Sequence, residues 1–441
     1  MAHRSAVRRT DPAPPVPDPG APPGAPPGNW SLWRDRRTVG WAVATGVSTL
    51  GDEIWFVALA FTAAGLGNAG LAGFVLACAT IPRALLMLLG GALTDRFDAR
   101  RMMLVADLAR IAVLAVGLLV FATAGVSPWL LIAVSLAFGA ADAFYGPAAT
   151  AFPRQLVPKS ELGRVAALRQ LLGRGAWVLG APLGGLVMVS FGFGGAMVVD
   201  LISFAVVLVV VVLVRPRWPR ERSAGRSVRA DVGDGLRYLA TTPRVRDLVI
   251  TLSGLNVFVA PVLSIGVALH VTGEGWGAVS LGWLTGAVGA GAALGTLVAL
   301  RWRPARPLVS ALLILLVQAA SLTAIGWAPF AVTLAATFLV GATAGLASPL
   351  LAGVVQASVD DAYIGRVSSV LALADNGFAP LTMVGFGAIA QVFGLASTTA
   401  AFGACFAALV LFALSRKHVR ALDTTASTDA PGTPENQEQT R

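Results

Sequence analysis

The chain has 441 residues, 56 % of them hydrophobic and 13 % charged, with a net charge of +10 and a mean hydropathy of +0.74. A soluble protein carries about a quarter charged residues, so this composition excludes an ordinary soluble enzyme or binding domain. The basic excess would suit nucleic acid if it lay on one soluble face, but its spread along the chain excludes that partner too.

Residues 1–37 are rich in Pro, Gly and Arg and read as a disordered cytoplasmic tail rather than a signal peptide. Twelve apolar blocks follow, at 39–62, 70–93, 102–124, 127–150, 166–190, 192–214, 248–271, 276–300, 307–327, 329–355, 368–393 and 395–414. About 20 apolar helical residues cross a hydrocarbon core of about 30 Å. Backbone polar groups in lipid must be satisfied within the segment, and no barrel-like alternation is present, so the blocks are read as helices. None of the 33 basic residues falls in the short turns 63–69, 125–126, 191, 272–275, 328 or 394. Apart from four inside the blocks and Arg366 in the connection 356–367, they crowd into the two tails, 94–101, 151–165, 215–246 and 301–306. The two sets of connections alternate, which predicts a multi-pass plasma-membrane protein with both termini cytoplasmic.

The longest basic connection, 215–246, reads as a linker between half-bundles. Val228, Val232, Leu236 and Leu239 recur at helical spacing within it, which predicts an amphipathic helix on the membrane surface. The expected organisation is a 1–37 tail, a 38–214 six-helix half, the 215–246 linker, a 247–415 six-helix half and a 416–441 tail. Cys78 and Cys405 sit inside apolar blocks and read as core residues. His3, His270 and His418 are scattered, so no metal or other cofactor is expected. Lys159 and Lys417 follow no glycine-rich phosphate loop, so nucleotide hydrolysis is not the expected driver.

The halves echo each other. Gly163-Arg164-Val165 and Gly365-Arg366-Val367 are offset by 202 residues, and Pro147 and Pro349 share that offset. Gly91 and Gly295 are 204 apart. Both copies face one side of the membrane, so the repeat is parallel, about an axis along the membrane normal.

The connection after the second block reads "GALTDRFDARR" (91–101). It resembles the signature loop of the major facilitator superfamily, G-x-x-x-D-R-x-G-x-R-R. Gly91, Asp95, Arg96, Arg100 and Arg101 match, and Asp98 stands where the second glycine would be. Ser48, Leu50, Gly51, Asp52, Ala58 and Leu59, together with "ADLAR" (106–110), "ADAFYGPA" (141–148), "DGLRYL" (234–239) and "GRV" (365–367), resemble its drug-efflux branch, which includes macrolide exporters and the enterobactin exporter. "LGAPLGG" (179–185) loosely resembles the antiporter motif G-P-x-x-G-G, with Ala181 separating Gly180 from Pro182. The resemblance implies an all-α membrane protein of twelve transmembrane helices, two six-helix halves around a cavity, working by alternating access. It also implies a gating latch in which Asp95 meets the start of the eleventh span near Arg366, while Arg96, Arg100 and Arg101 hold acids or lipid phosphates.

Charges inside the blocks are the candidate site. A charge at mid-bilayer costs at least a few kcal/mol and is expected to face a wet cavity or a partner. Asp52 lies near mid-membrane at the position the family shares and is expected to face the cavity, and Arg83 comes equally deep. Glu53 is turned about 100° away, toward a helix seam or the outer mouth. Asp142, Asp200, Asp375 and Asn376 are candidates for the cavity or for interhelical hydrogen bonds. Asp107 and Arg110, spaced i, i+3, read as a local pair, and Arg169 and Arg174 as snorkelling or pairing with Asp142. Trp55 and Phe144-Tyr145 are candidates to receive an apolar ligand. Burial disfavours a carboxylate's charged form, so such an acid can accept a proton on one side and release it on the other. The expected function is proton-coupled efflux of a hydrophobic or amphipathic small molecule by a monomer in the bilayer, with no enzymatic step and no nucleic-acid partner. A proton-coupled importer on the same fold and a non-transporting membrane sensor are the alternatives.

Overall fold

The computed structural model describes residues 32–217, 228–359 and 363–416. Among them there is no strand. Eleven helical runs are long and apolar enough to cross a membrane. The longest, Leu162–Leu213, has 52 residues, about 78 Å as a straight rod and more than twice a hydrocarbon core. It is two helices folded back at Gly192, where φ is 66° and ψ −168°. Only glycine takes that φ without strain, so this residue makes the reversal. The elements are therefore α1 (Arg36–Ala64), α2 (Ala69–Arg96), α3 (Ala99–Ala124), α4 (Pro128–Ala151), α5 (162–191), α6 (193–213), a shorter α7 (Val228–Thr241), α8 (Pro243–Gly273), α9 (Ala278–Arg301), α10 (Pro307–Ala324), α11 (Phe330–Ser358), α12 (Ile364–Phe393) and α13 (Leu395–Ser415). All but α7 span. An even number of crossings leaves the start of α1 and the end of α13 on one side, here called the terminal side.

Local chemistry sets the boundaries. The Asp35 carboxylate caps α1, accepting from the Arg37 N–H at 3.2 Å and the Thr38 hydroxyl at 2.8 Å. Ser127 caps α4 just ahead of Pro128, accepting from the Leu130 N–H at 3.2 Å. Gly394, at φ 82°, turns α12 into α13. It stands at the same 202-residue offset from Gly192 that relates Gly163 to Gly365, so the repeat extends to the turns.

The two halves meet away from the terminal side. α2 crosses α12 where a Cβ on Gly73 would lie 2.6 Å from the Met383 carbonyl, and a Cβ on Gly387 2.6 Å from the Ala69 carbonyl. The Gln391 amide oxygen accepts from the Ala69 N–H at 2.8 Å beside this crossing. α5 crosses α9 through the "LGAPLGG" stretch: a Cβ on Gly185 would meet the Ala278 carbonyl at 2.6 Å, and one on Gly282 the Ala181 carbonyl at 2.7 Å. Small residues let the backbones approach this closely.

Two fastenings lie at the terminal side. Arg217, just after α6, grips Asp35 with both guanidinium arms, at 3.0 and 3.2 Å, and donates its backbone N–H to the Gln155 carbonyl at 2.9 Å. α7 lies on the start of α12. Tyr238 stacks on Tyr363 at 4.3 Å, Arg366 reaches Asp234 at 3.9 Å, and Leu239, Val245, Val249, Val359, Val367 and Val370 form a small core.

Candidate functional site

Five helices of the first half converge on one arginine. Arg110 of α3 is 1 % exposed, 3.6 Å from Asp107 on its own helix and paired with Asp142 of α4. Its guanidinium lies 4.0 Å from the Tyr145 ring and 5.0 Å from that of Phe204, so aromatic faces replace water around the charge. Arg83 of α2 holds the other oxygen of Asp142 at 3.3 Å, and here the cluster opens: Arg83 is 53 % and Asp142 24 % exposed. Asp200 of α6 is fully buried, and the Ser203 hydroxyl donates to its Oδ1 at 3.2 Å and to its carbonyl at 2.7 Å. Gly51 of α1 makes room for this acid, since a Cβ there would lie 2.6 Å from Asp200 Oδ1. Asp52, the next residue, interacts electrostatically with Arg110, Asp142 and Arg83.

The acids Asp52, Asp107, Asp142 and Asp200 outnumber the bases Arg83 and Arg110. Asp52 Oδ1, both oxygens of Asp107 and Asp200 Oδ2 are buried without a hydrogen-bond donor among the described residues. An ionised oxygen in that condition is costly, and a neutral carboxyl there is less so. The arrangement is suited to holding and exchanging protons beside a fixed counter-charge.

A cavity of about 350 Å³ lies between α1 and α5 toward the terminal side, lined by Thr45, Gly46, Thr49, Arg169, Gln170 and Gly173 among others. Thr45, Thr49 and Asp52 are spaced i, i+4, i+7 and share one face of α1. Ala42 and Gly46 also line the cavity, so its wall on α1 is centred nearer Glu53, with Asp52 about 70° to one side and one turn beyond Thr49.

Several expectations change. The Asp107–Arg110 pair, read as local, is the centre of the cluster because α4 brings Asp142 against it. Arg169 does not pair with Asp142. It donates to the Ala149 carbonyl at 3.0 Å and stacks over Trp41 at 5.3 Å, because Arg83 and Arg110 already take both oxygens of Asp142. Arg174 is exposed. Trp55 is buried against Phe193 and Phe138, 5.3 and 6.4 Å between centroids, and packs rather than lines the cavity. Tyr145 lies under Arg110. Glu53 faces the α1–α5 seam, its Cβ only 2.5 Å from where a side chain on Gly180 would begin. Asp375 joins the amide of Asn256 on α8 at 3.1 Å, apart from the first-half cluster, with Asn376 beside it on α12. Sequence reasoning passed over Asn256, Ser203 and the role of Gly51. An amide in an otherwise apolar block was the available signal for Asn256.

In the signature loop, Arg100 donates to the Val211 and Val212 carbonyls at 2.9 and 2.6 Å, satisfying the end of α6. Asp98, in the glycine's place, is extended at φ −71° and caps α3, accepting from the Arg101 N–H at 3.2 Å. Arg101 is exposed. The Gly91, Asp95 and Arg96 side chains, and with them the expected latch, lie outside the described residues.

The family model described as "Major Facilitator Superfamily" matches residues 41–381. The chain belongs to the major facilitator superfamily. It is 24 % identical over 399 residues to the "Multidrug efflux pump Tap" of Mycobacterium tuberculosis, covering 88 % of this chain and 94 % of that protein. Among solved structures, a bacterial homologue of the iron transporter ferroportin in an inward-facing state superposes with a TM-score of 0.66 at 14 % identity, over 88 % of this chain and all of that one. The nucleoside transporter NupG superposes at 0.63 and 13 % identity, over 86 % of this chain and 98 % of that one. These likenesses show the fold. The protein is a multi-pass membrane transporter of the major facilitator fold, not an enzyme.

Proposed function

We propose that the protein exports hydrophobic or amphipathic small molecules in exchange for protons by alternating access, with Asp52 carrying the proton. One observation carries this reading: Asp52 presents a buried oxygen without a hydrogen-bond partner among the described residues, on α1 within one turn of Thr49 of the cavity wall and in the field of Arg110. Arg110 supplies the fixed counter-charge, and Glu53, Asp107, Asp142, Asp200, Arg83 and Tyr145 are the titratable neighbours that tune it. The basic connections put the termini in the cytoplasm, so the cavity opens inward while α2–α12 and α5–α9 close the outer side. A membrane potential contributes about 2.3 kcal/mol per charge per 100 mV, enough to drive a substrate uphill. The name of the mycobacterial relative supports efflux of drug-like molecules.

The test uses proteoliposomes with an imposed pH gradient and a panel of amphipathic drugs and dyes. Asp52→Asn is expected to abolish gradient-driven accumulation while downhill exchange of the same compound persists. Gradient-driven transport that continues unchanged in Asp52→Asn removes this residue from coupling. Uptake rather than exclusion by whole cells reverses the direction.

A further inference from the structure

We infer that Asp375 of α12, oriented by Asn256 of α8, is a subsite for the cationic group of an amphipathic substrate. This names the chemistry of the cargo, so it rests on the transport reading, but not on Asp52 as the proton carrier.

Three observations carry it. First, Asp375 is the only charged residue inside the apolar blocks of the second half, 248–271, 276–300, 307–327, 329–355, 368–393 and 395–414. No arginine or lysine in those blocks can neutralise it, unlike Asp142, which has two. Second, the carboxylate is held. Asn256 Nδ2 donates to Asp375 Oδ1 at 3.1 Å, with both side chains exposed. The other carboxylate oxygen has no partner among the described residues. Third, Asp375 lies off the outward stripe of α12, on the flank turned to α8. The outward stripe of α12 runs through Phe378, Leu381 and Val392, at 49, 67 and 73 % exposed. At 100° per residue, Asp375 lies about 60° around the helix from Phe378 and about 120° from Leu381, on the flank of Thr382 and Phe386. Phe386 on that flank is fully buried, its ring 3.1 Å from where a Cβ on Gly266 of α8 would stand. The flank therefore faces α8 and passes from sealed at Phe386 to open at Asp375, toward the terminal side. An anionic oxygen fixed at such a gap, with no cation paired to it among the described residues, selects a ligand that brings its own positive charge. The first half couples; the second half recognises charge.

The experiment measures binding to the solubilised full-length protein at fixed pH, without a gradient. Two probes of similar shape are compared, the tetraphenylphosphonium cation and neutral triphenylphosphine oxide. The wild type is expected to prefer the cation, and Asp375→Asn to lower that preference by about tenfold or more. Asp375→Glu is expected to recover most of it, and Asn256→Ala to lose part. Neutral-probe binding and thermal melts show whether each variant is folded. A wild type that binds both probes equally overturns the proposal, as does a folded Asp375→Asn that keeps the preference. Should Asp375→Asn not fold, an unchanged preference in Asn256→Ala overturns it instead. A wild type that binds the cation but moves nothing in vesicles sinks the transport reading and leaves the subsite standing.

Discussion

The two halves share a scaffold and divide the chemistry. Gly139 and Gly341 stand at the repeat offset of 202, and each sits where helices pass at backbone contact: Gly139 of α4 on Ala79 of α2, Gly341 of α11 on Val288 of α9. The first half then fills its interior with charge around Arg110. The second fills its interior with glycine: Gly291, Gly295, Gly341 and Gly345 interlock α9 with α11, each over a carbonyl of the opposing helix. Buried charge demands a full set of partners to be tolerated, and glycine contacts demand only shape. One bundle is thus held by electrostatic accounts that must balance, the other by fit.

That contrast can be broken by substitution. Arg110→Met strands Asp107 in the interior and leaves Asp142 to Arg83 alone, and removing one partner of a buried ionic network costs about 3–5 kcal/mol. The expected outcome is a large drop in melting temperature or in the yield of folded protein, while Asp375→Asn in the second half leaves the melt nearly unchanged. Gly341→Val drives a side chain into the Val288 backbone, and overpacking of this kind costs about 1–3 kcal/mol. Thermal melts should place it below Arg110→Met, and it should slow exchange of a transported compound by restricting α9 against α11. The smallest effect belongs to Arg164→Ala. Its partner Glu161 is three residues away and Arg164 is 65 % exposed, so the loss should be within about 0.5 kcal/mol. The repeat-related Arg366 differs, since it reaches Asp234 on another helix and lies 4.8 Å from the Tyr363 ring. Arg366→Ala should therefore exceed Arg164→Ala in the same melt. Equal effects would mean that α7 contributes nothing to the second half.

Much of this architecture was legible from periodicity and punctuation. Apolar blocks of spanning length set the helices, and turns such as 191 and 394 were readable within a residue or two because glycine alone takes the needed φ at Gly192 and Gly394. What was not legible depends on how helices rotate against one another. The spacing of Asp107 and Arg110 announces an intrahelical pair, and nothing local says that Asp142, over thirty residues on, completes it. Trp55 has the same composition signal whether it lines a cavity or backs a cluster, and only the positions of Phe138 and Phe193 decide. Asp98 looked like a lapse in the signature, yet its extended backbone needs no glycine and its side chain supplies a cap.

The grip of Arg217 on Asp35 has a mechanical consequence. The polypeptide enters the first bundle and leaves it at a single knot, and that knot is the foot of α1. Tension on the backbone at Arg217 is therefore delivered to the base of the rod that carries Asp52.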